Sequence, residues 1–260
     1  MKRLSVVDLA IVRQRLAASV SRIDAIDLPE AGPVVVKRRR APRSPWRARG
    51  LAVLARATGL ALLRPVPAHG GARGEQIELE RLSALARAGV RVPEVLHAEP
   101  GFFVMRRLQG YDLAARIAER GDKGLAAWRA GLDAIADVHA RGACLSQAFA
   151  RNLLDTPDGI AFIDFEDDPL ETLPLEVAQA RDWLAYLHST AWLVESESAS
   201  VRLALDAALK AELRRGEGGT VRACVLDAGR RLTFFRHLPR ARRPLGREAL
   251  GLGALGRLFA

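Results

Sequence analysis

Two oxygen-bearing side chains, Asn152 and Asp164, stand at the two ends of a short predicted β-hairpin. Between them lie the apolar runs 153–154 and 160–165, joined by the turn-forming residues 155–159. Because the start of one antiparallel strand lies beside the end of the other, we expect the two side chains to be neighbours. Oxygen ligands of this kind suit Mg²⁺, which completes its coordination shell with water and phosphate oxygens.

The hairpin is flanked by two segments with helical periodicity. Upstream, Leu132, Ile135 and His139 fall on one face of a segment that ends at Gly142, and downstream residues 176–193 repeat apolar side chains at helical spacing. A less specific interpretation also exists, since acidic residues after a strand often form a solvated loop and an Asn before a turn is often a cap. The surrounding order of elements decides between the two interpretations.

That order, helix, Asn-bearing hairpin, "IDFED" at 163–167 and helix, resembles the C-terminal lobe of the protein-kinase-like superfamily. Among its bacterial branches the chain is most similar to lipopolysaccharide core kinases, aminoglycoside phosphotransferases and RIO-type kinases, which often carry Ile-Asp-Phe followed by acids. The resemblance implies that Asn152 and Asp164 hold metal ions on the phosphates of a nucleotide. It implies ATP and Mg²⁺ as cofactors.

The N-terminal half fits the same resemblance. The run "GPVVVK" ends in Lys37, in the context of the strand lysine that contacts the α- and β-phosphates in this superfamily. A helix that stops at Gly89 follows, and its Glu78 is implied as the ion-pair partner of that lysine, with Glu80 as the alternate. Lys37 could also be no more than a basic strand end.

Three parts typical of the superfamily are missing. The loop Asp expected five residues before Asn152 is replaced by Gln147, whose amide can orient a hydroxyl but cannot accept its proton. The His expected two residues earlier is Leu145, and no glycine-rich phosphate loop precedes Lys37. The resemblance therefore fits either an atypical phosphotransferase or a catalytically inactive member.

The expected fold is α+β, with the two lobes of a protein-kinase-like protein. Residues 1–108 would form a small β-rich N-lobe that carries a basic helical insertion at about 44–64. Residues 109–260 would form a helical C-lobe with the metal-binding hairpin at 149–169 and a basic C-terminal tail. The insertion is predicted because Lys37 and Glu78 are too far apart in sequence for an unstructured link, and it could pack on the first lobe or lie on a membrane.

Charge is unevenly distributed along this chain of net charge +10. Residues 31–74 contain ten Lys or Arg and no acid, whereas 122–182 contain twelve Asp or Glu against five Lys or Arg, an arrangement that suits an anionic ligand held between the two parts with a divalent metal. The stretch 228–247 adds seven Arg around Phe234 and Phe235. It could contact anionic lipid or nucleic acid, or its charges could be merely solvated.

Targeting and redox signals are weak. Asp8 and Arg13 interrupt the apolar N-terminus, so it is expected to form a helix rather than a signal peptide, and the longest apolar tract is too short and too charged to cross a bilayer. Cys144 and Cys224 lack the spacing of a metal site, which favours a reducing compartment. We therefore expect a cytoplasmic protein, with peripheral contact at the inner membrane as an open alternative.

Two function classes follow. The first is an ATP- and Mg²⁺-dependent phosphotransferase related to bacterial envelope or small-molecule kinases, in which Lys37 and Glu78 bind the nucleotide and Asn152 and Asp164 bind the metal. The second is an inactive pseudokinase that acts as a regulatory binding module, for a protein partner or at an anionic membrane surface. A nucleic-acid-binding role rests on charge alone. The sequence does not specify the phosphate acceptor.

Overall fold

The protein has an α+β fold with many helices and small antiparallel sheets. The computed structural model describes residues 4–41, 55–56, 59–67, 69–213, 218–240 and 246–260. Within these ranges the α-helices are α1 (Val6–Ala18), α2 (Gly71–Arg87), α3 (Leu113–Ile117), α4 (Gly121–Ala140), α5 (Leu175–Thr190), α6 (Ser198–Leu213), α7 (Gly218–Leu232) and α8 (Gly246–Leu258). The strands are β1 (Ile23–Leu28), β2 (Gly32–Arg38), β3 (Val95–Glu99), β4 (Phe102–Arg106), β5 (Tyr111–Asp112), β6 (Leu153–Thr156) and β7 (Gly159–Phe162).

The larger sheet has four antiparallel strands in the order β1-β2-β4-β3. Side chains alternate between its faces, because successive residues of a strand point to opposite sides. Val34 and Val36 are buried on one face. Lys37 therefore points to the other face, where Phe103, its direct cross-strand neighbour, joins a separate apolar cluster.

Helix α1 covers the first face of this sheet, as its apolar residue Val12 packs with the valines of β2. Ser5 caps the helix by accepting a hydrogen bond from the Asp8 amide at 3.1 Å. The buried Asp8 carboxylate accepts the backbone N–H of Ala31 at 2.8 Å, in the turn between β1 and β2. This contact ties the predicted N-terminal helix to the sheet.

Strand β1 was not predicted. Its sequence, "IDAIDL", alternates polar and apolar residues, and its burial alternates in part, with Asp24 and Leu28 buried and Ile23 exposed. Among the described strands it lies at the edge of the sheet and pairs with β2. The two carboxylates in six residues obscured the strand signal, because Asp is depleted in strands.

The main hydrophobic core lies on the second face of the sheet and extends through the helices. It joins Leu82 and Leu85 of α2 to Phe103, and continues through Trp128, Leu132 and Ile135 of α4, Trp183, Tyr186 and Leu187 of α5, and Val225 of α7. The periodic residues predicted for the helices around the hairpin are therefore buried as expected. Helix α4 begins earlier than the predicted segment, at Gly121.

The hairpin of β6 and β7 has a two-residue turn. Thr156 pairs with Gly159, so only Pro157 and Asp158 lie between the strands, and Asp155 belongs to β6 rather than to the turn. Regular pairing ends at Phe162, three residues before the predicted end of the apolar strand. The three-stranded sheet is completed by β5, which pairs with β6.

Most of the helix predicted around 44–64 lies outside the described residues. Its described end, Ala61–Leu63, forms a 3₁₀ helix, and Leu60 and Leu62 are buried in the main core. Arg181 of α5 donates hydrogen bonds to the carbonyl oxygens of Leu62 and Arg64 at 3.0 and 2.8 Å. This described end thus packs on α5.

The predicted basic tail is largely structured. It contributes to α7, a 3₁₀ helix Thr233–His237 and the start of α8, and residues 241–245 lie outside the described part. Phe234 is exposed, while Phe235 packs against the main core. In the portion of the chain that the structure describes, no helix combines the length and the apolar character needed to span a membrane.

Candidate functional site

Lys37 lies at the centre of the candidate site. It is only 3% exposed, and strand alternation directs its side chain toward α2. Its ammonium nitrogen lies 2.5 Å from Glu78 Oε1, 3.0 Å from Asp164 Oδ1 and 3.3 Å from Glu166 Oε1. One buried cation therefore links the sheet, α2 and the segment that follows the hairpin.

Glu78, and not Glu80, is the α2 partner of this lysine. Glu78 is buried on the face of α2 that packs on the sheet, whereas Glu80 is exposed and accepts a hydrogen bond from Gln76 at 2.7 Å. Burial raises the pKa of Glu78 above the ordinary carboxyl value, and the charge and hydrogen bond of Lys37 offset this only in part. A carboxyl group with a raised pKa beside a buried cation is common at functional sites.

The hairpin brings Asn152 and Asp164 to the same end, as predicted. The backbone N–H of Ile163 donates to the Asn152 carbonyl at 2.9 Å, which extends the strand pairing to the residue just before Asp164. Asp164 has a left-handed backbone with φ of 70°, uncommon for a residue with a side chain. This conformation accompanies the contact of its carboxylate with Lys37.

The amide of Asn152 is oriented by one hydrogen bond. Its Nδ2 donates to the Gln147 carbonyl at 3.0 Å, and no side-chain or backbone group of the described residues donates to its Oδ1. Asp164 contacts Lys37 through Oδ1, and no described residue donates to its Oδ2. The chemistry of these two oxygens fits a hard cation that takes its other ligands from water and phosphate. Among the described residues, no group of three or more His, Cys, Asp and Glu could hold a metal unaided.

Gln147 is bound to a carboxylate that the sequence did not single out. Its Nε2 donates to Asp167 Oδ2 at 2.8 Å, so the Asp after "IDFE" lies beside the position of the missing loop Asp. The preceding residue, Ser146, has a left-handed backbone with φ of 76° and a buried hydroxyl without a hydrogen bond to any described residue. The loop is therefore held in a strained, specific conformation.

A buried ionic cluster anchors this loop. Asp182 Oδ2 accepts the backbone N–H of Leu145 at 2.6 Å and lies 3.3 Å from His139 Nε2. His139 Nδ1 lies 2.9 Å from Glu212 Oε1, which also accepts the indole N–H of Trp183 at 3.1 Å. Burial alone lowers the pKa of His139, but the hydrogen bonds and charges of Asp182 and Glu212 outweigh it, and the pKa is raised above its ordinary value. The sequence placed His139 on the apolar helix face but did not indicate these partners.

Two other acids near the hairpin, Asp155 and Glu166, are engaged in ion pairs of their own. Asp155 Oδ2 accepts Arg116 Nε at 3.2 Å. Glu166 is buried and forms ion pairs with Lys37, Arg22 and Arg40. Neither lies beside Gln147 as Asp167 does.

The two cysteines take no part in the site. Both are free thiols, and Cys144 is buried under Arg81, which donates a hydrogen bond to its carbonyl oxygen. Burial raises the pKa of the Cys144 thiol to about 12, so it stays protonated at neutral pH.

Comparison with known proteins supplies no assignment, because no protein-family model matches the chain and no curated protein is significantly similar to it. Functional inference therefore rests on the geometry above.

Proposed function

We propose that the protein is a kinase-like phosphotransferase that uses ATP and Mg²⁺, with a nucleotide cleft between a small β-rich N-lobe and a helical C-lobe. The single observation that carries the proposal is the position of Lys37. This buried ammonium pairs with Glu78 of α2 and also contacts Asp164 at the end of the hairpin. A buried lysine at the junction of three elements is better explained by a ligand than by stability, because a buried ion pair is weak evidence for stabilisation.

Each residue has a definite role in this proposal. Lys37 binds phosphate oxygens of the nucleotide, and Glu78 holds the lysine side chain in position. The oxygens of Asn152 and Asp164 that receive no hydrogen bond from described residues would hold Mg²⁺. When bound, the metal would neutralise charge on the phosphates.

Asp167 is the proposed acceptor of the substrate proton. The Gln147 side chain donates a hydrogen bond to this carboxylate at 2.8 Å. The Gln147 amide itself cannot act as a base. In the transfer step the acceptor hydroxyl oxygen forms a bond to the γ-phosphorus, and the bond from that phosphorus to the bridging oxygen breaks. ADP leaves, and the hydroxyl proton passes to Asp167. With Asp167 as the base the protein is an atypical enzyme, and without any base it is an inactive pseudokinase.

The alternative is a pseudokinase that binds the nucleotide without transfer. It is favoured by Gln147 itself and by the ion pairs of Glu166 with Lys37, Arg22 and Arg40. The same lysine and hairpin would then serve a regulatory binding module, whose occupant changes its affinity for a partner.

A thermal-shift titration tests the proposal, because a ligand that binds only the folded state raises the melting temperature. Titration with ATP should raise it more in the presence of Mg²⁺ than without, and adenosine should have little effect. Asp164→Asn should abolish the metal-dependent part. If ATP with Mg²⁺ leaves the melting temperature of the parent unchanged, both the enzyme and the nucleotide-binding alternative are wrong.

A further inference from the structure

Within the described residues, three cations converge on one buried carboxylate, that of Glu166. Lys37 Nζ lies 3.3 Å from Glu166 Oε1, Arg40 Nη1 lies 2.7 Å from Oε2, and Arg22 donates to Oε1. The Glu166 side chain is only 6% exposed. Both carboxylate oxygens are therefore bound by positive groups, as the oxygens of a bound anion would be.

The cations and the carboxylate come from different parts of the chain. Arg22 precedes β1, Lys37 lies in β2 and Arg40 follows β2, whereas Glu166 belongs to the segment after the hairpin. The two arginine side chains are 33% and 43% exposed, so a ligand from solvent can reach them. The residues around the sheet thus form an anion-binding site, and the Glu166 carboxylate from the segment after the hairpin occupies it.

Free space at this site is small while Glu166 is present. The adjoining cavity, lined by residues that include Arg22, Arg40, Glu78 and Glu166, has a volume of about 20 Å³. That is enough for roughly one water molecule. A phosphate group would therefore have to take the place of the Glu166 carboxylate.

We infer that Arg22, Lys37 and Arg40 form a phosphate-binding subsite, and that Glu166 is its built-in competitor. Arginine guanidinium groups match phosphate geometry with two parallel N–H donors, and the lysine adds a third charge. A phosphate tail binds by displacing Glu166 from these cations. The parent protein consequently binds phosphate ligands more weakly than its three cations would alone, because only the fraction with Glu166 displaced is competent.

The inference deepens the proposed function, on which it rests for the identity of the ligand as the phosphate tail of a nucleotide. It assigns a binding role to Arg22 and Arg40, which precede and follow the sheet strands around Lys37. It also gives the chain a means of limiting access to its own cleft. The binding step itself requires neither phosphoryl transfer nor a metal.

The test measures binding of tripolyphosphate without divalent metal, by calorimetry and thermal shift. Glu166→Gln keeps the size of the side chain and removes its charge, and should raise the affinity about 10-fold or more, within the usual range of coupling between sites. Glu80→Gln, the same charge change on the exposed face of α2, is the control and should leave the affinity unchanged. An equal gain in both variants, or none in Glu166→Gln, overturns the inference.

A second variant keeps the inference testable if Glu166→Gln does not fold. Arg22→Ala combined with Arg40→Ala in the parent should lower tripolyphosphate affinity at least about 10-fold, because two of the three charged donors to the phosphate are lost. Unchanged affinity in that double variant also overturns the inference.

The ligand source is resolved by comparing ATP with tripolyphosphate on Glu166→Gln. Equal gains identify the phosphate tail as the part recognised. If no variant binds ATP with Mg²⁺ but the tripolyphosphate gain is present, the subsite stands and the proposed function fails. If ATP with Mg²⁺ binds the parent and the tripolyphosphate gain is missing, the proposed function stands and the subsite fails.

Discussion

The ammonium of Lys37 lies 2.5 Å from the carboxylate of Glu78, although the two residues are 41 positions apart in the chain. Both side chains are almost completely shielded from solvent, at 4% and 6% exposure. The pair fixes β2 to α2 at the place where the segment after the hairpin also arrives. Changes at either residue are therefore expected to affect both ligand binding and the stability of the fold, and the two effects need separate measurements.

We expect Lys37→Met to reduce ATP affinity by about 10- to 100-fold, because a charge-assisted hydrogen bond to phosphate contributes roughly 1.5–3 kcal/mol. Isothermal calorimetry with Mg²⁺ measures this change. Since the single variant leaves Glu78 buried without its closest cation, the double variant with Glu78→Gln is the folding control and should be more stable than Lys37→Met alone. Affinity equal to that of the parent would reduce Lys37 to a basic strand end.

The comparison of Glu78→Gln with Glu80→Gln separates the two glutamates of α2. Only Glu78→Gln should weaken ATP binding, since Glu80 is exposed and contacts Gln76 instead of the lysine. Circular dichroism should show both variants folded. Equal binding by both variants would leave Glu78 without a role in nucleotide binding.

The loop provides a prediction on turnover. Asp167→Asn should slow any phosphoryl transfer by about 10²- to 10⁴-fold, the usual contribution of a general base. Gln147→Asp should also slow the transfer, because it removes the amide that holds Asp167 and places a second carboxylate beside it. ADP release measures both, with Asp164→Asn as the inactive control. A parent rate that survives Asp164→Asn unchanged would arise from a contaminant, and a rate insensitive to Asp167→Asn would exclude this residue as the base.

The buried His139 makes stability depend on pH. Because its pKa is raised in the folded state, the protonated imidazole stabilises the protein fully below the unfolded value of about 6.5, and this contribution is lost as pH rises through the folded pKa. Urea unfolding across this range should show stability falling above pH 6.5. His139→Gln should flatten that slope and destabilise the protein by about 3–5 kcal/mol, since two buried carboxylates lose their cation.

Helix packing offers a test that is independent of ligands. A Cβ atom at Gly131 of α4 would overlap the hydroxyl and ring of Tyr186, which is buried and donates to the Trp128 carbonyl at 2.8 Å. Gly131→Ala should therefore destabilise the protein by about 1–3 kcal/mol, although alanine ordinarily favours a helix. Thermal unfolding measures the change. Adding Tyr186→Phe should relieve part of it, and simple additivity of the two changes would contradict the contact.

The sequence predicted the parts of the site that depend on local pattern. Apolar periodicity located the helices around the hairpin, and the turn between β6 and β7 placed Asn152 and Asp164 at the same end of it. The sequence did not predict the contacts of Glu166, because Arg22 and Arg40 lie 144 and 126 positions away from it. In the sequence alone, these two arginines look like ordinary solvent-exposed charges. Asp167 was missed for a similar reason, since nothing in an acidic run shows which carboxylate faces Gln147.

The left-handed backbone of Asp164 has a consequence for directed evolution. At φ of 70°, a residue with a Cβ atom is disfavoured by about 1–2 kcal/mol, whereas glycine is not. Lys37 would keep Glu78 and Glu166 as partners if this carboxylate were removed. In a library randomised at position 164, selection for heat resistance alone should therefore enrich glycine over alanine, whereas selection for phosphoryl transfer should retain aspartate.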